Sequence, residues 1–201
     1  MKFSSKKLGK NFKMINIIID GKNLQMEEGK TILEAAREAS IRIPTLCYHK
    51  MLTPYGSCRL CLVEVIRGGR TAIHSSCLYK VTEGLEVKTN TERLRKIRKI
   101  ILELLLARCP DAEAVKALAE EYGITQVRIS RKNKEDCILC GLCVRVCKEI
   151  TGMNAINFTG RGSRKKVQTP FNKISETCIG CGACAYICPI KAIKIEEKVE
   201  I

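Results

Sequence analysis

Cys178-Ile-Gly-Cys181-Gly-Ala-Cys184-Ala-Tyr-Ile-Cys188-Pro189 is the stretch that decides the fold. Three cysteines at intervals of three put their sulfurs on one tight loop, with backbone amides turned toward whatever the sulfurs hold. Gly180 and Gly182 let the backbone approach that group closely. A fourth thiol follows after three residues, and a proline closes the run. Four thiolates spaced this way suit a [4Fe–4S] cubane. Zinc sites more often pair two separated Cys-x2-Cys knuckles than place three cysteines in one loop.

The same spacing occurs 41 residues earlier, at Cys137, Cys140, Cys143 and Cys147. A strand-like segment follows each run, Ala155-Ile156-Asn157-Phe158 and Ala192-Ile193-Lys194-Ile195, so a loop–helix–strand unit is duplicated and pseudo-twofold symmetry is expected. Lys148 to Lys173 forms a longer basic connection between the halves. Farther upstream, Cys47, Cys58, Cys61 and Cys77 make a third set, spaced x10, x2 and x15. This is not the plant-type x4, x2 loop, yet it again sets a close pair beside two distant ligands, as a [2Fe–2S] rhomb requires. Cys109 is the one cysteine of the 13 outside the three sets.

At 201 residues the chain has room for one or two small domains. Aromatic content is 4% and Trp is absent, so bound clusters are expected to supply part of the folding free energy. The cysteines do not read as a secreted disulfide scaffold. Met1 to Lys13 carries five lysines and no apolar run long enough for a signal peptide. Glu103 interrupts the most apolar stretch, Ile97 to Ala107, so no membrane span is predicted and a soluble cytoplasmic protein is expected. The formal charge of +15 counts every cysteine as neutral. Three loaded sites at about −2 each bring it to about +9. That charge suits a solvated lysine-rich surface or an acidic partner. A nucleic-acid partner is not expected, because no aromatic residues interleave the basic helix face for base stacking.

Residues 1–13 read as a basic disordered tail, and Met14 could begin the folded unit. Met14 to Asp20 is strand-like, Asp20-Gly21 is a turn dipeptide, and a second strand is expected near Asn23 to Glu27. Thr31 and Glu34 form a capping box that opens a helix through Ala39. Gly29-Lys30-Thr31 is not a phosphate loop, since position 24 is Leu. Leu62 to Ile66 and Arg70 to His74 flank Gly68-Gly69 as a hairpin, and Leu85 to Lys88 adds a short strand. Thr91 to Ala107 predicts a long helix with Leu94, Ile97, Ile101, Leu104 and Leu105 along its apolar face. Pro110 interrupts it, and Asp111 to Tyr122 predicts a second helix closed by Gly123.

The Cys178–Pro189 run resembles bacterial two-cluster ferredoxins, in which the fourth cysteine serves the other cluster. That resemblance implies one cubane on Cys137, Cys140, Cys143 and Cys188, and the other on Cys178, Cys181, Cys184 and Cys147. More broadly, Ile43-Pro-Thr-Leu-Cys47-Tyr-His, Cys58-Arg-Leu-Cys61-Leu-Val-Glu-Val and Cys137-Ile-Leu-Cys140-Gly-Leu-Cys143-Val-Arg-Val-Cys147 resemble the N-terminal iron–sulfur region of the complex I large peripheral subunit. Iron-only hydrogenases and the small diaphorase subunit of NAD-linked nickel–iron hydrogenases carry a similar region. The resemblance spans roughly residues 14 to 198.

It implies an α+β chain in three parts after the tail of 1–13. These are a β-grasp [2Fe–2S] ferredoxin-like domain (14–90), a helical connector (91–133) and a bacterial-type two-[4Fe–4S] ferredoxin domain (134–201). Many relatives hold a further cubane between the domains on one His and three Cys. Here only Cys109 lies in that stretch, and His49 and His74 belong to the first domain. The extra site is therefore read as lost, with Asp111 to Tyr122 in its place. Cys109 is read as a buried thiol at a helix end, and both histidines as structural.

The chain has no dinucleotide fingerprint and no convincing flavin site. The expected function is electron relay in an NAD(P)-linked oxidoreductase complex, with no substrate-converting site of its own. The family resemblance implies a flavin- and NAD(P)-binding subunit and a terminal oxidoreductase subunit as partners, the terminal one a hydrogenase, formate dehydrogenase, ferredoxin-linked or similar module, with electron bifurcation as an extension of the same reading. The alternatives are a free-standing polyferredoxin shuttle and a succinate- or fumarate-type iron–sulfur subunit.

Overall fold

The computed structural model describes residues 13–129 and 135–195. The basic stretch 1–12 and the final residues 196–201 lie outside the described residues. Strand β1 (Met14–Ile19) runs through the Asp20-Gly21 turn into β2 (Lys22–Glu27). Both turn residues have positive φ, which matches the twist of a two-residue hairpin. Helix α1 (Ile32–Glu38) follows. Thr31 Oγ1 accepts from the Glu34 amide while the Glu34 carboxylate accepts from the Thr31 amide, so the capping box is complete. Strands β3 (Leu62–Arg67) and β4 (Arg70–Ser75) form the second hairpin, across Gly68-Gly69. Strand β5 (Leu85–Lys88) inserts between the hairpins, parallel to β1 and antiparallel to β3.

The sheet order is β2-β1-β5-β3-β4. Alternation buries Ile15, Ile17 and Ile19 on one face of β1, where they pack with Ile32, Leu33, Ala35 and Ala36 of α1 and with Val63, Val65 and Val87.

Helix α2 (Glu92–Arg108) is capped by Thr91, and α3 (Glu113–Glu121) follows Pro110. The buried face of α2 is rotated from the expected one. Leu94, Arg98, Leu102, Glu103 and Leu106 are buried, whereas Leu104 is exposed and Ile97, Ile101 and Leu105 are only partly covered. The reason is Arg98, which is 2% exposed and occupies the centre of the face. Its Nε donates to the Leu60 carbonyl, its Nη2 to the Leu62 and Thr89 carbonyls, and its Nη1 to the Tyr122 hydroxyl. Carbonyls left by the Cys58–Leu62 loop and by the end of β5 need donors, and this side chain supplies them.

A second core joins what reads in sequence as separate parts. Leu46, Cys47, Leu52, Cys58 and Leu60 of the first cysteine loop pack with Leu102 and Leu106 of α2. Val115, Ala119 and Tyr122 of the α3 segment and Ile138, Cys140, Leu142 and Val146 of the third part complete this core.

In the C-terminal part, α4 (Leu142–Glu149) and α5 (Ala183–Tyr186) each start from a left-handed glycine, Gly141 and Gly182. Strand β6 (Asn157–Thr159) pairs with β7 (Lys166–Gln168) inside the long basic connection. Residues 192–195 form no strand, contrary to the expectation for Ala192–Ile195. The partner that β6 finds is the connection itself, which only the first half of the repeat possesses. Among the described residues no helix is long and apolar enough to cross a membrane.

Candidate iron–sulfur centres

The first four thiols divide into two pairs, one from each core. Cys61 and Cys77 belong to the sheet–helix core, and their sulfurs lie 3.4 Å apart. Cys47 and Cys58 belong to the second core, and the Cys58 amide donates to the Cys47 sulfur at 3.3 Å. Two pairs facing one another are the ligand geometry of two irons, two thiolates to each. Within each pair the hydrogen bond between the thiols shifts the two in opposite directions. Hydrogen bonding from Cys47 holds Cys58 down at about 6, and the bond from Cys77 holds Cys61 at about 7, while Cys47 and Cys77 are pushed up. One thiol of each pair, Cys58 or Cys61, is thus shifted toward the thiolate, the form that binds iron. The fully buried Ser76 hydroxyl has no well-formed hydrogen bond and lies beside the Cys61 sulfur, whose ionised form it favours. An orphaned donor at this position fits a sulfur-rich anionic group.

The other eight thiols surround two cavities. Cys137, Cys140, Cys143 and Cys188 line one of about 120 Å³. Cys147, Cys178, Cys181 and Cys184 line the other, of about 400 Å³. Each cavity therefore takes three thiols from one loop and one from the opposite half. The repeat is visible in the backbone. The Ala155 amide donates to the Cys147 sulfur and the Ala192 amide to the Cys188 sulfur, both at 3.3 Å and both just after a left-handed residue, Asn154 or Lys191. Leu139 (φ +56°) adopts the left-handed conformation that Gly180 (φ +66°) adopts in the second loop. Burial pushes the thiols of Cys140 and Cys143 up to about 11 and about 12, so ligation there must release protons.

The site of the first pairs and the first cavity are hydrogen-bonded directly to each other. Ser57 Oγ, next to Cys58, donates to the carbonyl of Leu139, next to Cys140, at 3.0 Å. Arg145 lies between Cys143 and Cys147 on α4. Its Nη2 donates to the Cys47 carbonyl at 2.8 Å, and its Nη1 donates to the Thr53 carbonyl. The Thr53 amide donates to Glu149 at 2.7 Å. Over this seam the Arg145 guanidinium, the Tyr55 and Phe158 rings and the Lys165 ammonium form a continuous stack. Gly141 makes room for it, because a Cβ there would meet the Phe158 ring at 3.1 Å. Arg108 Nε anchors the same loop by donating to the Cys137 carbonyl.

Cys109 caps α2 as a buried thiol, pushed up to about 11 by burial. Ala112, Val115, Ala119 and Tyr122 fill the neighbouring core. His49 Nδ1 accepts from the Met51 amide, and His74 packs on Tyr79. Arg98, Arg145 and Ser57 carry no sequence signal beyond their position near the cysteines or on α2.

A sheet domain with one four-thiol site, joined by two helices to a duplicated pair of four-thiol loops, defines an iron–sulfur protein with one [2Fe–2S] and two [4Fe–4S] centres. Residues 12–92 match the family described as 2Fe-2S iron-sulfur cluster binding domain, and residues 136–192 match the 4Fe-4S dicluster domain. A chain in the crystal structure of an NAD+-reducing [NiFe]-hydrogenase in the H2-reduced state superposes with a TM-score of 0.77 at 30% identity. The match covers 88% of this chain and 85% of that one. This protein belongs to the same family of iron–sulfur subunits.

Among curated relatives, the alpha subunit of the NADPH-Fe(3+) oxidoreductase of Geobacter sulfurreducens is 36% identical over 182 residues, covering 78% of this chain and 21% of that subunit. The NADH-ubiquinone oxidoreductase 75 kDa subunit of Reclinomonas americana is 30% identical over 204 residues, covering 90% of this chain and 29% of that subunit. The chain thus spans less than a third of the length of these curated relatives.

Proposed function

We propose that this chain is the electron-relay subunit of an NAD(P)-linked oxidoreductase complex. In this reading Cys47, Cys58, Cys61 and Cys77 hold the [2Fe–2S] cluster. Cys137, Cys140, Cys143 and Cys188 hold one cubane, and Cys178, Cys181, Cys184 and Cys147 hold the other. Domain limits near residues 14–90 and 134–201 go with this assignment. Its partners are a flavin- and NAD(P)-binding subunit and a terminal oxidoreductase subunit. When bound, the clusters supply one-electron redox chemistry.

The observation that carries the reading is the Ser57–Leu139 hydrogen bond, which joins residues adjacent to ligands of two different sites. With Arg145 it ties those two sites together in the folded chain. Rigid, close spacing is what a relay needs, and a storage or regulatory cluster does not. The names of the matched relatives, an NADPH- and an NADH-dependent oxidoreductase and an NAD+-reducing hydrogenase, support the same class.

The test uses anaerobically purified full-length protein. It should contain about ten irons, two in the first site and four in each cubane. NAD(P)H alone should leave its visible absorbance unchanged, and NAD(P)H with a catalytic amount of its flavin subunit should bleach it. Bleaching by NAD(P)H without a flavoprotein would overturn the proposal.

A further inference from the structure

Cluster-site burial is graded along the chain. The four thiols of the first site are all buried, as are Cys140 and Cys143 at the first cavity, whereas Cys178 and Cys181 at the second cavity are exposed. The segments bounding that second cavity carry large apolar side chains in solvent. Ile174 and Ile179 line it and are 78% and 66% exposed. Phe171, three residues before Ile174, and Tyr186, on α5, are each 95% exposed. Isolated exposed apolar residues are ordinary, but here four fall within sixteen residues of chain, two of them lining one cavity.

The charge in the segments around these residues is mostly positive. Between Ile150 and Thr177 the cations are Arg161, Arg164, Lys165, Lys166 and Lys173, and the only acid is Glu176. Lys191 and Lys194 add two more beyond Cys188. None of these seven forms an ion pair with another described residue. The β6–β7 hairpin that presents four of them is a closed structure. A Cβ at Gly160 would collide with the Arg164 carbonyl, and a short 3-10 turn, Gly162–Arg164, crosses its tip. Arg145, by contrast, is committed to the Cys47 and Thr53 carbonyls at the first seam.

We propose that this face docks an acidic redox partner protein. Phe171, Ile174, Ile179 and Tyr186 form the apolar contact, and the β6–β7 hairpin supplies the electrostatic rim beside the second cubane site. The inference rests on the relay reading and deepens it by assigning one terminus of the relay and the charge of what it meets. Charge complementarity selects the occupant. A basic rim around an apolar centre steers an acidic surface into register and speeds encounter, and the exposed thiol loop puts the site within reach of that surface.

The experiment measures binding of the cluster-loaded full-length chain to a small acidic plant-type ferredoxin, used as the probe, by fluorescence anisotropy across ionic strength. The wild type should bind and should lose affinity toward about 1 M salt, where the screening length falls to about 3 Å. The charge-reversed variant Arg161→Glu/Arg164→Glu/Lys166→Glu should bind about tenfold or more weakly, with a flattened salt dependence. Phe171→Ser should weaken binding without changing the salt slope. Iron content and the EPR spectra of all three sites should be unaltered in both variants, because none of these residues carries a thiol or lines either thiol cavity.

Equal affinity of wild type and the charge-reversed chain overturns the proposal, as does absence of binding. Retention of a single-stranded 20-mer DNA in preference to the ferredoxin also overturns it. So does a gain of wild-type affinity on removing residues 196–201, which would make the chain's own acidic end the natural occupant. Failure of the relay reading looks different. There the clusters stay oxidised with NAD(P)H and flavoprotein, whatever the affinity.

Discussion

Replacing Arg98 by Met is the sharpest test of how the first site is held. The side chain is 2% exposed and donates to the carbonyls of Leu60, Leu62 and Thr89 at 3.0, 2.6 and 2.9 Å. Methionine fills similar space and donates nothing. Three buried carbonyls then lose their donor, at about 1–3 kcal/mol each. Against this, the variant no longer buries a guanidinium, a cost of several kcal/mol in the wild type. The net loss is about 3 kcal/mol. With a urea dependence of about 2 kcal/mol per molar, the unfolding midpoint of the loaded protein, followed by far-UV circular dichroism, should fall by about 1.5 M. Arg98→Lys keeps the charge but not the planar fork, and should fall between the two. Leu60 lies between Cys58 and Cys61, so the Met variant should also broaden the EPR signal of the [2Fe–2S] site and leave the cubane signals alone. A midpoint within about 0.3 M of wild type would refute the reasoning, because it would mean the carbonyls find water or other donors.

Exchanging the lone fourth thiols tests the assignment across the two halves: Cys188→Ala should give the same residual EPR spectrum as Cys140→Ala, and Cys147→Ala the same as Cys181→Ala. Matching of Cys188→Ala to Cys181→Ala would reverse the partition. Glu34 supplies a pH test. Burial pushes its carboxyl up, but the Thr31 amide and hydroxyl and the Tyr48 hydroxyl outweigh burial and hold it below the usual value. A depressed carboxyl stabilises the fold above its ordinary value of 4.5 and loses that contribution as pH falls through the lowered one. Glu34→Gln should therefore cost about 1 kcal/mol at pH 7, and the difference from wild type should shrink in acid. A difference that grows as pH falls would contradict the cap.

The local features of this chain were legible because their causes are local. The Asp20-Gly21 and Gly68-Gly69 turns, the Thr31–Glu34 cap and the thiol spacing each rest on a few consecutive residues. The α2 face was misplaced for the opposite reason. Apolar periodicity has no way to assign a buried arginine, and the carbonyls that Arg98 serves at Leu60 and Leu62 lie 38 and 36 positions upstream. The seam was equally silent, since Ser57 and Leu139 are 82 residues apart and nothing in either marks a partner. The β6–β7 pairing replaced an expected strand at residues 192–195, because the long basic connection folds back on its own half of the repeat.

The interleaving of thiols around the two C-terminal cavities bears on how the protein matures. All four thiols of the first site lie within the first 77 residues. Neither cavity in the C-terminal part has its fourth wall until much later. The one opened by Cys137 waits for Cys188, and Cys147 waits for Cys178 to Cys184. The thiols of the first site are thus all present early in translation, while each later site lacks one or more of its thiols until translation is nearly finished. The order of synthesis therefore supplies the thiols of the three sites in sequence, the first site's set first and the two interleaved sets last. A chain cut short before residue 188 would leave an unfinished site exposed to oxygen.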